Sequence, residues 1–407
     1  PVEKQIISYK IAMTNRGPQL LKAQKLINII HNMVKRTILT AVLISSVLGF
    51  SYTAKAQETH QHNDHTPHSH DHADNSSNHE AVDQHKKGKL VTGQGEFIFS
   101  WDKELTAALP KEAHEFEPEM HGGFNEDPET GIVYTGIPGY GLCSISADLT
   151  EWSTIGTDAR LKDNIHGIVF FVHKGVKHLA VAQEGKRVLV LTLDGNIVSE
   201  IVKPTGNEFN FDLANEFYSS EKSDFGVTDV TYLKGTIYVS HGYSAGDFVM
   251  TIKEKRGVWS WGKLAWGGKG DKPGQFRTAH GIYAHDNHIL VANRGAGQIV
   301  KFTKKGKFVE TFNDIPKSYI CDISYKSEHY FMNALRPVGD QKSAPIYVHS
   351  GDELISTVIV GDLNIPVLIN IHQVWPHLVE TKDGSKQLYL LVHGWSKGKF
   401  AVLKLEK

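Results

Sequence analysis

Four histidines in this chain each stand at the head of a short apolar run: Met120-His121-Gly122, Ile165-His166-Gly167, Ala279-His280-Gly281 and Pro376-His377-Leu378. Two further runs, Thr228-Asp229-Val230 and Cys321-Asp322-Ile323, carry an aspartate in the same slot. Imidazole nitrogens brought from separate segments to one point bind a transition metal. Three of them leave Zn²⁺ an open fourth position, the arrangement of a catalytic site. His166, His280 and His377, with His121 as a fourth candidate, are therefore the expected ligands. A four-histidine site would suit iron or copper as well as zinc. His372 competes with His377 for the last position, and the spacing to the following strand favours His377.

The elements that must position these residues follow from the spacing of the six markers, which recur at intervals of 42 to 63 residues. Irregular repetition near fifty residues is the mark of a propeller, in which each four-stranded blade buries its faces only against its neighbours. From Gly95 onward the chain reads as strands, with β-branched and apolar runs such as Arg187-Val188-Leu189-Val190-Leu191 separated by turn signals such as Leu193-Asp194-Gly195-Asn196. Only 207–221 could hold a helical turn or two. Phe97-Ile98-Phe99-Ser100-Trp101 is expected to close the ring by pairing with the last blade, which removes a free edge. The fold class is thus all-β, a six-bladed propeller.

In such a blade the second strand returns antiparallel to the first, so the start of one and the end of the other share a rim. Fourteen residues beyond the markers Asp229, His280 and Asp322 stand Tyr243, Arg294 and Arg336. A phenol and two guanidiniums are therefore expected around the histidines. Tyr243 is placed to act as general base, Arg336 as a catalytic partner, and Arg294, His241 and His393 on the substrate side.

Blade four is the clearest unit: the Gly-rich segment from Trp266 to Phe276, then Thr278-Ala279-His280-Gly281-Ile282, then Ile289-Leu290-Val291-Ala292-Asn293-Arg294-Gly295. Here the chain resembles the NHL-repeat propellers, and within them the catalytic core of peptidyl-α-hydroxyglycine α-amidating lyases. The resemblance runs from about Asn164 to the C-terminus and is strongest from Val227 to Phe312. It implies a zinc held by three histidines, corresponding to His166, His280 and His377, and a carbon–nitrogen lyase activity. Ser240-His241-Gly242-Tyr243 stands for the family's Ser-Asp-Gly-Tyr stretch, which gives Tyr243 the role of the catalytic tyrosine. The family's blade-one arginine has no counterpart in 134–141, which leaves a substrate carboxylate to Arg336 or Arg294. The family's aspartate after the third histidine is Leu378 here, and the methionine two before it is Trp375.

The 407 residues carry a net charge of −1 from 44 basic and 45 acidic side chains, which argues against a nucleic-acid partner. Residues 1–32 read as sequence upstream of the natural start. Lys35-Arg36, the apolar run 38–50 and Ala54-Lys55-Ala56 have the three parts of a secretory signal over 33–56. Export to the periplasm or the outside is expected, with no membrane span after processing. Residues 57–94 form a polar linker with His60, His62, His65, His68, His70, His72, His79 and His85, expected to be disordered and to bind transition metal ions loosely. The propeller is expected over 95–407, with Cys143 and Cys321 as buried thiols. Its channel mouth should take a small molecule or peptide. Two functions fit: a zinc-dependent lyase-like enzyme, or a non-catalytic propeller that binds metal, protein or another ligand.

Overall fold

The computed structural model describes residues 85–86, 88–312, 315–396 and 398–406. The readings made for 1–84 lie outside the described residues, among them the secretory signal and seven of the eight linker histidines. After a two-stranded ribbon, His85–Lys86 with Lys89–Leu90, six larger antiparallel sheets follow one another along the described residues. Their first strands are Phe124–Glu126, Ile165–His173, Asp229–Leu233, Ala279–His285, Ile320–Lys326 and Ile371–Glu380. These six pack side by side around a central axis, each against the first strands of the two neighbouring blades. That is a six-bladed propeller, as the marker spacing predicts.

Each blade is buried on both faces, so its inner strands are continuously apolar rather than alternating. Val188, Leu189, Val190 and Leu191 are all fully buried, with Val188 and Val190 packed toward blade three and Leu189 and Leu191 toward blade one. Fully burying such a side chain stabilises the fold by about 1.5–3 kcal/mol, so the blade-to-blade seams hold the ring. The expected helix is present as Asp212–Ser219, packed through Ala214 and Tyr218 over blade three. Among the described residues no helix is long and apolar enough to cross a membrane.

Blade six is built from both ends of the propeller sequence. Phe97–Asp102 pairs with Phe400–Leu405, as expected, with Val402 opposite Asp102 and Leu405 opposite Phe99. A fifth strand, Thr92–Gln94, adds to Phe97–Asp102. It falls inside the stretch read as linker, so ordered structure reaches further toward the N-terminus than the expected boundary at 95. Polarity hid it: Thr92-Gly93-Gln94 has no apolar side chain, but its polar groups are satisfied by blade five, where Gln94 N–H donates to Ser356 Oγ at 2.8 Å and Ile359 N–H to Thr92 Oγ1 at 2.8 Å.

Candidate metal centre

The first strands deliver side chains to one end of the axis, and the His-Gly pairs explain how. A Cβ at Gly167 would lie 2.2 Å from Asp229 Oδ1, and one at Gly281 would lie 2.3 Å from Asp322 Oδ1. The glycine after each histidine lets the aspartate of the following blade close against the backbone. Asp229 then accepts N–H bonds from Val230 at 2.8 Å and from Ile282 at 2.9 Å, tying blade three to blade four. Burial, together with the charge of Asp322, pushes the Asp229 carboxyl well above the usual range, and burial raises Asp322 to about 6. These acids are structural wedges in the positions that alternate with histidine.

His166, His280 and His372 converge above them. Each is buried, and a ring nitrogen of each lies within 4.8 Å of one from the others. The ring centroids are 4.7 to 5.0 Å apart. Two tautomers are fixed by the backbone. His166 Nδ1–H donates to Thr228 O at 2.5 Å and His280 Nδ1–H to Cys321 O at 2.8 Å, so both Nε2 lone pairs face the axis. Among the described residues neither ring nitrogen of His372 has a hydrogen-bond partner. Buried polar atoms are normally paired, and a bound cation would take the lone pair of one of these nitrogens. Burial holds His166 down to about 3 and His280 and His372 well below the ordinary imidazole value. All three rings are neutral near pH 7, the state in which imidazole ligates. The set therefore fits a transition cation.

The third member differs from the expectation. His377 lies five residues further along the same strand, with Nδ1 2.9 Å from Glu126 Oε2 and Nε2 2.8 Å from Ala147 O. Both of its nitrogens are occupied, and it sits toward the far end of the channel. Read from His372, the residue after the third histidine is Gln373, whose amide donates to Asp322 Oδ2 at 2.6 Å.

The second-strand ends meet the same rim. Tyr243 Oη lies 2.9 Å from His280 Nε2 and 3.3 Å from His166 Nε2, and Arg294 Nη1 donates to it at 2.9 Å. Burial pushes the Tyr243 phenol up to about 12, while Arg294 pulls in the opposite direction. A cleft of about 270 Å³ opens above, lined by His121, Glu184, Tyr243, Arg294, Arg336 and Trp395, with His372 at its floor. Arg336 is exposed at the lip, its guanidinium 5.7 Å from the Tyr319 ring centre. His121 sets its ring edge-on to His166 and His372, at 5.3 and 5.2 Å, but turns Nε2 toward Asn164 and Glu184.

Two residues expected on the substrate side do not reach it. His241 is fully buried beneath the helix, between the Tyr218 hydroxyl at 3.0 Å and the Gly226 N–H, which donates to Nε2 at 2.8 Å. His393 is fully buried behind His372, stacked on it at 6.2 Å and against Phe124 at 4.8 Å. Glu184 is the residue that sequence reasoning missed. Blade two has strands of nine and eight residues, so its second-strand end falls eighteen residues after His166 instead of fourteen. The Glu184-Gly185 turn after Val176–Gln183 was the available signal.

No protein-family model matches the chain and no curated protein does. Among solved structures it is similar to a protein of unknown function from Bacteroides caccae (12% identity over 64% of this chain and 82% of that one, TM-score 0.41). It is also similar to YCF48 from Cyanidioschyzon merolae (12%, 70% and 81%, TM-score 0.40) and to a streptogramin B lyase (13%, 72% and 96%, TM-score 0.40).

Proposed function

We propose that this protein is an exported metal-dependent enzyme of the carbon–nitrogen lyase type, with His166, His280 and His372 as the ligands of a Zn²⁺. The observation that carries the reading is Tyr243, a half-buried phenol within hydrogen-bond reach of two ligand nitrogens and of one guanidinium in the wall of an open cleft. A cation bound there supplies a Lewis acid and favours the ionised phenol. Tyr243 takes the proton from a hydroxyl of a substrate lying in the cleft. The hydroxyl oxygen becomes a carbonyl, the carbon–nitrogen bond breaks, and the departing nitrogen keeps the electron pair and takes up a proton. Arg294 holds the phenol in place and offers charge to the developing phenolate. Arg336, at the lip, meets a carboxylate on the substrate, the work that an arginine of blade one does in the lyases the sequence resembles. The histidine-rich linker collects transition metal ions for the mature protein.

Zinc-loaded full-length protein, supplied with N-acyl-α-hydroxyglycines, is expected to release glyoxylate. The Tyr243→Phe variant keeps its metal and loses about 10²–10⁴-fold in rate. A protein that holds zinc at the triad and turns over none of these substrates is a metal-binding propeller without this reaction.

A further inference from the structure

Beside the triad, blade two presents a second group of donor atoms whose separations are those of ligands around one ion. Asn164 immediately precedes the first strand of that blade and Glu184 follows the second. The Glu184 N–H bond to Asn164 O at 3.1 Å fixes the two side by side. His121 reaches over from blade one, and its Nδ1–H donates to Glu119 O at 2.9 Å, which leaves the Nε2 lone pair facing them. That is the tautomer logic of His166 and His280 repeated on a different backbone carbonyl.

The Asn164 amide nitrogen stands 3.1 Å from His121 Nε2 and 2.7 Å from Glu184 Oε2, and those two atoms are 3.5 Å apart. Three atoms at such separations fit one face of a coordination polyhedron with bonds of about 2.1 Å. The amide oxygen, Asn164 Oδ1, is buried and has no hydrogen-bond partner among the described residues. Turning the amide over exchanges the two ends. The orphaned oxygen then joins the imidazole nitrogen and the carboxylate at one position, beside the 270 Å³ cleft that His121 and Glu184 line. His166 lies within 4.8 Å of His121 and Glu184 as well, but its free nitrogen faces the triad.

We propose that His121 Nε2, Glu184 Oε2 and Asn164 Oδ1 hold a second divalent transition cation, next to the triad and open to the cleft on its remaining sides. The mixed nitrogen and oxygen set suits Zn²⁺, Mn²⁺ or Co²⁺. A cation there presents open positions to an oxygen of the substrate or to water in the cleft that Tyr243 also lines. The site shares no ligand with the triad and does not depend on the lyase reading.

Zn²⁺ titration calorimetry on the full chain tests it, with wild type, Glu184→Gln, His280→Ala and the double variant compared. The linker histidines contribute equally to all four, so the differences report the mouth. Glu184→Gln is expected to lose one equivalent, His280→Ala a different one, and the double variant both. Asn164→Asp, which adds a charged oxygen ligand, is expected to tighten the second equivalent about tenfold. A Glu184→Gln protein that binds as many equivalents as wild type, as tightly, overturns the proposal. Loss of an equivalent in Glu184→Gln but none in His280→Ala would leave the second site standing and remove the triad reading instead.

Discussion

His372 and His377 share a strand, are both buried, and differ in every respect that matters for binding. At the mouth, His372 has no partner for either nitrogen among the described residues and faces two rings in the same neutral state. At the far end, His377 is closed between Glu126 and the Ala147 carbonyl. Glu126 in turn is held by Lys326 and accepts from Trp375 Nε1 at 3.3 Å. Burial pushes the Glu126 carboxyl up, but the His377 bond and Lys326 outweigh it and hold the group below its ordinary value. One end of the channel is electrostatically complete and the other is not. Residue type alone therefore does not mark a binding site; unmet bonding capacity among rings that converge on one point does.

The sharpest way to break this comparison is to delete each ring in turn. His372→Ala is expected to weaken zinc binding at the mouth at least about hundredfold, read by metal analysis after dialysis. His377→Ala should leave that affinity unchanged but cost about 3 kcal/mol of stability in urea unfolding, because Glu126 loses a buried partner. Equal metal loss in both variants would erase the distinction between the two ends.

Acid separates the ends next. The mouth imidazoles are held below 6.5, so on acidification the unfolded chain takes up protons that the metal-free native state refuses, and stability falls from about pH 6.5 toward about pH 3. Removing one such ring in His372→Ala should make the slope shallower by about one proton, or roughly 1.4 kcal/mol per pH unit. An unchanged slope in metal-free protein would mean that the mouth does not exclude protons.

The smallest effect concerns the thiols. Burial pushes Cys143 and Cys321 up to about 12, so neither should react with iodoacetamide at pH 8 in the native protein, while both react in urea. Labelling of Cys321 in the native state would show that the floor of the mouth opens, since its carbonyl carries His280.

The sequence carried the architecture because period and turn chemistry repeat six times, and it carried His166 and His280 because both precede a glycine that a neighbouring aspartate requires. It misplaced the third histidine for a physical reason. The spacing to the following strand favours His377, but blade six opens with a ten-residue strand that starts at Ile371, so the count lands five residues past the rim. A fixed offset of fourteen found Tyr243, Arg294 and Arg336 but passed over Glu184, because strand length varies between blades. Burial could not be read for His241 and His393, whose strand ends turn into the protein behind the rim.

Blade six has a consequence for how the protein matures. Its sheet contains both Ile371–Glu380, which carries His372, and Phe97–Asp102, which enters from the beginning of the propeller sequence. A chain still being synthesised can assemble neither that sheet nor the trio of imidazoles. A metal ion captured by His166, His280 and His372 would then report that blades two, four and six have come together, and would add about 2.7 kcal/mol when free metal stands a hundredfold above its dissociation constant. An ion bound there would act as a latch on the ring, thrown only after the sixth blade has come round to the second and fourth.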